Sequence, residues 1–335
     1  MYLARSARRL RVARVRRRAV VRVPASTSNL GAGFDCIGAA VDRWLTASVV
    51  VLTEPQATTT VQRGGTLAKL DVPPDEDWIA VGVAAACKAA GKETPRALRI
   101  RTSSQIPVAR GLGSSAAAVV AGATAATGIL GFSLTDDELL DACAEVEGHP
   151  DNVAAAIFGG VQLALPGTSR RARPLVVADG LSLAFAVPDF SVETKHARSV
   201  LPREVPHATA TRAAGLGSAL VHGLATGDAE TLRAALEEDV LHVPYRRALV
   251  RGFDLVCGAA RQAGAFGATL SGSGSTVVAI APEQQARAVA EAMCAAWREQ
   301  GVQADAFVNS SQVDGRSMVV HQDCEDVPAT AGAAG

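Results

Sequence analysis

Residues 107–118 read PVARGLGSSAAA, and this run has the chemistry of an anion cradle. Gly111 and Gly113 let the backbone turn tightly and approach a ligand closely, because glycine enters left-handed conformations at little steric cost. Ser114 and Ser115 add two hydroxyls, and the alanines from Ala116 onward open a helix directly behind them. Such a turn aims free N–H groups and the positive end of a helix at one point, which suits a polyphosphate. No Gly-Lys-Ser/Thr follows, so the loop is not of the Walker type. The competing reading is a plain helix N-terminus whose small residues only permit close packing.

The surrounding elements must hold this loop in place. Val20, Val21 and Val23 predict a strand that stops at Pro24 and runs into a loop over 26–33. A second strand is expected at 45–53, and a third at 97–103, where Leu98, Ile100 and Thr102 alternate with Arg99 and Arg101. Helices are predicted over 78–90, closed by Gly91, and from the Gly-Ser loop onward. Thr135 with Glu138 three residues later forms a capping-box pattern opening a helix that runs to about Val146. Residues 158–165 return to strand, and the arginine-rich stretch 169–174 reads as a surface connection and domain boundary. Beyond it the pattern gives strand 181–187, helices 208–225, 228–240 and 246–263, strands 267–270 and 276–280, and helix 283–300. Strands followed by helices in each half, without strict βαβα alternation, indicate an α+β protein.

At 335 residues the chain can form two domains at ~100–200 residues each. Its 48% hydrophobic and 20% charged residues exclude a disordered or disulfide-dense chain. The neutral net charge hides an asymmetry: eight arginines and no acid fall within residues 1–19, leaving 25 basic against 33 acidic residues, a formal −8. An acidic body argues against nucleic acid as the main partner. The arginine-rich start lacks the apolar core of a secretory signal and reads as a disordered extension over 1–19, with a transit peptide or a nucleic-acid arm as its rivals. The six cysteines form no Cys-X-X-Cys pair, so reduced thiols in a cytoplasmic protein are expected rather than a zinc site or a disulfide framework. Residues 111–135 carry no charge, but their Ala, Gly, Ser and Thr content rejects a membrane span.

Four segments in order resemble the GHMP family of small-molecule kinases and, within it, the homoserine kinases. They are VPASTSNLGAGFDCIG at 23–38, the Gly-Ser loop, EGHPDNVA at 147–154 running on to Phe158-Gly159-Gly160, and ATLSGSG at 268–274. The resemblance covers residues 20–280 and implies a two-domain fold. An N-terminal domain (20–170) would be like the second domain of ribosomal protein S5, and a C-terminal domain (171–325) ferredoxin-like. The implied activity is ATP-dependent phosphorylation of L-homoserine in the threonine branch of amino-acid biosynthesis, with Mg²⁺ as cofactor, no nucleic-acid or membrane partner, and a homodimer allowed.

Phosphoryl transfer needs the triphosphate held, its charge offset by a cation, and the acceptor hydroxyl placed in line. By resemblance, Pro107, Arg110, Gly111, Leu112, Gly113, Ser114, Ser115 and Ala116 bind the nucleotide. Ser115 and Glu147 would hold the metal, with Ser114 as the competing hydroxyl; magnesium favours hard oxygen ligands of this kind. An amino-acid acceptor is a zwitterion, so its site should offer an anion to the ammonium and arginine to the carboxylate. Asp35, His149 and Asp151 are the candidates for the ammonium end, Arg198 and Arg246 for the carboxylate, and Gly272 completes the substrate site. Relatives that carry Asp near position 152 use it as base. Here Asn152 cannot accept a proton usefully near neutral pH. Asn29 and Asn152 would then orient the hydroxyl, and Glu147 would act through the cation. The chain departs from the family pattern at Asp77-Trp78-Ile79, where Asn-Leu is usual, and at Ala32 and Ser275, where Pro is usual. The rival readings are a kinase for another hydroxylated amino acid and a catalytically silent ligand sensor.

Overall fold

The structure, a computed structural model, describes residues 15–165, 167, 171–310 and 312–324. The first domain begins with the long strands β1 (Val15–Asn29) and β2 (Gly33–Val51), followed by β3 (Thr60–Gly65), helix α1 (Trp78–Ala89) and β4 (Leu98–Ser104). Helices α2 (Ser114–Leu130), α3 (Asp136–Glu147) and α4 (Asp151–Phe158) then precede β5 (Val161–Leu165) and β6 (Arg171–Pro174). In β4 Leu98, Ile100 and Thr102 are buried while Arg99 and Arg101 face water, as the alternation predicts. The uncharged stretch becomes α2, buried almost all round, with Ala and Val packed against β1, β2 and α1. Thr135 caps α3 in the expected reciprocal box with Glu138.

The second domain holds β7 (Leu181–Pro188), the short α5 (Thr194–Ser199), α6 (His207–Thr226), α7 (Ala229–Glu237) and the single turn α8 (Val243–Arg246). After them come α9 (Phe253–Gln262), β8 (Gly267–Leu270), β9 (Val277–Pro282), α10 (Glu283–Glu299) and β10 (Ala304–Ser310). The sheet order β10-β7-β9-β8 makes a βαββαβ unit of ferredoxin type. Its central strand is buried on both faces. Leu183, Phe185 and Val187 join the core shared with the first domain, while Ala184 and Ala186 face α9 and α10.

The last strand, β11 (Ser317–Cys324), leaves the second domain and returns to pair antiparallel with β1, so the first sheet runs β11-β1-β2-β4-β3, with β5 and β6 attached through β2. The domain limits differ from expectation at three points. Residues 15–19 are not extension but strand: Arg18 pairs with Val50 and His321, and Ala19 is fully buried. An arginine run hides a strand because charge masks its period of two. The rest of the expected extension lies outside the described residues. Residues 171–174 extend the first sheet rather than linking domains. The second domain closes before β11, not at 325. The segment expected as a loop over 26–33 is mostly strand as well, because β1 passes through Pro24 with a register shift between Pro24 and Ala25 and ends only at Asn29.

Candidate active site

One cleft of about 360 Å³ opens between the domains. At one end Gly113 stands at the N-cap of α2 with φ +65° and no side-chain cap, leaving the first-turn N–H groups facing outward. A Cβ at Gly113 would lie 2.0 Å from the Ser26 hydroxyl, and one at Gly111 (φ +72°) 2.0 Å from the Ser271 carbonyl, so both positions need glycine. Pro107, Ser114 and Ser115 line this end. Leu112, 1% exposed, also anchors the loop in the core, and Ala116 belongs wholly to the core, not to the lining. The side chain of Arg110, in the lining of the cleft, donates to the carbonyls of Val108 (3.0 Å), Pro188 (3.0 Å) and Asp189 (2.7 Å) and so clamps the loop to the second domain. Leu67, Leu70 and Val72 supply an apolar wall, with Trp78 42% exposed at its rim.

Asp77, a departure from the family pattern, has a structural role. Its Oδ1 accepts from the Ile79 N–H and caps α1, while Oδ2 accepts from Arg63 at 2.7 Å; Arg63 also donates to the Leu70 and Val72 carbonyls. The wall is therefore stapled by one largely buried ion pair. Its signal in the sequence is slight, since Arg63 lies in a short strand 14 residues away.

Glu147 ends α3, where the helix dipole presents its negative pole. The Ser115 hydroxyl donates to its Oε2 at 3.1 Å, and His149 Nε2 lies 4.0 Å away. Burial pushes the carboxyl of Glu147 above the usual range despite nearby His149 and the Ser115 bond. A buried carboxylate at the wrong end of a helix, paired with a hydroxyl and facing a phosphate cradle, is a hard-oxygen donor set in want of a cation, and that chemistry fits magnesium. No cluster of three or more His, Cys, Asp or Glu suited to a metal occurs among the described residues, so other ligands would have to be phosphate and water.

A hydrogen-bond net continues from there. Asp151 is fully buried; burial would raise its carboxyl, but His149 at 2.6 Å and the Asn152 N–H at 2.7 Å hold it below the ordinary range. Burial would likewise lower His149, yet Asp151 and Glu147 raise it. Asn152 accepts from Ser26 (2.9 Å) and donates to Ser28 (3.0 Å), while Asn29 donates to the Gly272 carbonyl (3.0 Å) and accepts from the Asp35 N–H (3.0 Å). Both amides are thus fixed in orientation. Asn29, Leu30, Asp35 and Ala109 are the described non-glycine residues with positive φ, and three of them line the cleft, which concentrates backbone strain at a working site.

At the far end Arg198 of α5 grips Asp35 of β2 with two bonds, 3.1 and 2.8 Å, across the domain interface. Arg246 is 2% exposed; its Nε donates to the Ala197 carbonyl and Nη1 to that of Gly272, and no described residue bonds Nη2. Burial and the neighbouring Arg198 charge lower its pKa to about 10. Asp35, Arg198 and Arg246, spread over 212 positions of sequence, meet in one pocket beside Gly272. Ser28 and Thr194 also line the cleft, and only their hydroxyls hint at it.

The model of the GHMP kinases N terminal domain matches residues 79–160, and that of GHMP kinases C terminal matches 220–299. A homoserine kinase of Trichormus variabilis is 41% identical over 286 residues, covering 85% of this chain and 93% of the relative. The chain belongs to the homoserine kinase family of GHMP kinases. A second family member, from Nostoc punctiforme, is 39% identical with the same coverage. The solved homoserine kinase of Cytophaga hutchinsonii superimposes with a TM-score of 0.80 at 28% identity, over 90% of this chain and 97% of that one. A mevalonate kinase from L. major, 16% identical with a TM-score of 0.63, shares the fold. Members of the family are kinases that use ATP, which agrees with a cleft whose one end offers main-chain donors. No helix among the described residues is long and apolar enough to cross a membrane.

Proposed function

We propose that this chain transfers the γ-phosphoryl group of ATP to the side-chain hydroxyl of L-homoserine, giving O-phospho-L-homoserine and ADP, and that it works in the cytoplasm. One observation carries the choice of acceptor: a carboxylate and two guanidinium groups, from opposite domains, face each other at the end of the cleft away from the phosphate loop. A zwitterion satisfies that arrangement. Its ammonium takes Asp35, its carboxylate takes Arg198 and the open Nη2 of Arg246, and the Asp35–Arg198 bond gives way to the two new ones.

The N–H groups at the head of α2 receive the phosphates. Ser115 and Glu147 would hold magnesium, which when bound supplies neutralisation of phosphate charge. Asn29 and Asn152, locked by their own bonds, orient the acceptor hydroxyl. Neither amide can take its proton, and the Asp151 carboxylate, with Oδ1 bonded to His149 and to the Asn152 main chain, is held below the ordinary range and so is a poor proton acceptor. This chain therefore acts by alignment and charge stabilisation without a dedicated side-chain base.

Release of ADP measured across homoserine, serine and threonine tests the reading. Serine lacks one methylene, and a misplacement of ~1 Å costs ~10²-fold in rate, so kcat/KM for homoserine should exceed that for serine by at least about that factor. Faster turnover of another hydroxy amino acid would reassign the acceptor. Homoserine binding without ADP release would make the chain a sensor.

A further inference from the structure

Behind the amino-acid end lies a buried assembly that phosphoryl transfer leaves unused. His242, just before α8, is 0% exposed. Its Nε2 lies 3.0 Å from the carbonyl oxygen of Gly31. A carbonyl can only accept, so Nε2 carries the proton. Nδ1 is then a lone pair, and it faces Nη1 of Arg246 at 3.5 Å, a group that can only donate. The two neighbours together select a single tautomer of the neutral ring, and burial keeps that ring neutral by pushing its pKa down to about 4.

The rest of the assembly fixes this imidazole in place. Phe34 stacks on it with centroids 5.1 Å apart and 18° between planes, and the Arg246 guanidinium carbon sits 5.3 Å from the Phe34 centroid. The Asp239 carboxylate accepts from the main-chain N–H groups of Leu241 (3.1 Å), His242 (2.8 Å) and Val243 (2.7 Å), which sets the turn that presents the ring. Gly31 lies between β1 and β2, in the connection flanked by Asn29 and Asp35, and it belongs to the other domain.

We propose that His242 is a positioning residue for substrate recognition: through Nδ1 it sets the angle of Arg246, and through Nε2–H it ties that arginine to the segment carrying Asn29 and Asp35. One ring thereby keeps the carboxylate-binding and ammonium-binding halves of the pocket in register across the domain boundary. The inference rests on Arg246 being a partner of the homoserine carboxylate. It differs from that reading in giving the work of aiming Arg246 to a residue that touches no substrate.

His242→Phe keeps the ring, its volume and the stack on Phe34 while deleting both nitrogens. Loss of a hydrogen bond to a charged group predicts a homoserine KM raised about tenfold or more, with the ATP KM within about twofold of the parent. His242→Gln, which restores one donor and one acceptor, should recover part of the loss. In an Arg246→Ala background the His242→Phe penalty should vanish, because the ring would have nothing left to aim. Should the Phe variant fail to fold by thermal melting, His242→Met enters the same cycle with the same expectation. Additive effects in the cycle, or equal rises in the KM of homoserine and of ATP, would overturn the proposal by showing a merely structural ring. A raised homoserine KM in Arg246→Ala beside a normal one in His242→Phe would overturn this inference alone. A normal homoserine KM in Arg246→Ala would overturn the pocket reading and this inference with it.

Discussion

At the end of the cleft proposed for the nucleotide the groups on offer are main-chain N–H donors at the head of α2, held by two glycines with positive φ. At the end proposed for the amino acid they are side-chain ions brought from β2, α5 and α8. The first end is local: its parts sit within nine residues and are shaped by what glycine alone permits. The second is assembled by the docking of two domains, and no short stretch of chain contains it. A phosphate cradle can therefore be carried as a motif, whereas an amino-acid pocket exists only in the completed fold.

That contrast can be broken most sharply at Gly113. Valine there forces a β-branched side chain into a left-handed conformation and against Ser26, so ATP affinity should fall by about 10³-fold while homoserine binding persists. Nucleotide titration together with a thermal melt reads both, and a folded variant with parental ATP affinity would remove the loop from the site.

Glu147→Gln comes next. It keeps shape and removes charge, and turnover should drop ~10²–10³-fold with a small change in homoserine KM, as when one transition-state stabiliser is lost. The raised carboxyl of Glu147 adds a pH signature. The parent enzyme should demand more magnesium as pH falls, starting nearer neutrality than an ordinary carboxylate would, because the protonated acid cannot hold a cation. The Gln variant should lose that acid-side dependence. Parental turnover at low magnesium in Glu147→Gln would assign the cation elsewhere.

The smallest effect is expected at Arg198. Its side chain is 36% exposed and that of Asp35 29%, so water screens the pair, and Arg198→Ala should raise the homoserine KM only about tenfold with ATP binding untouched. A parallel rise in the ATP KM would show that the two ends are not independent.

The sequence bears these two ends unequally. Gly111 and Gly113 announce themselves, as do the Thr135/Glu138 box and the alternation in β4, because each is a local steric or hydrogen-bonding demand that few residue types meet. Asp35, Arg198 and Arg246 emerge only through resemblance to a family, since an isolated arginine looks like any surface charge. His242 and the Arg63–Asp77 staple escaped both routes: their partners are a carbonyl and a residue 14 positions off, and neither leaves a pattern. Strands β3, β10 and β11 carry no clear sequence signal because Gly, Ser, Asn and Asp interrupt their period of two, and they are strands by virtue of the neighbours they pair with.

The return of β11 to β1 has a consequence for the birth of the molecule. A ribosome lays down β1 first and β11 last, nearly 300 residues apart, yet the two are hydrogen-bonded neighbours. The ferredoxin-type unit between β7 and β10 can close as soon as Ser310 has emerged. The older sheet must wait, with one flank of β1 open, until β11 clears the exit tunnel. The lobe that is begun first is finished last, and its exposed edge during synthesis is where misassembly with a neighbouring chain would start.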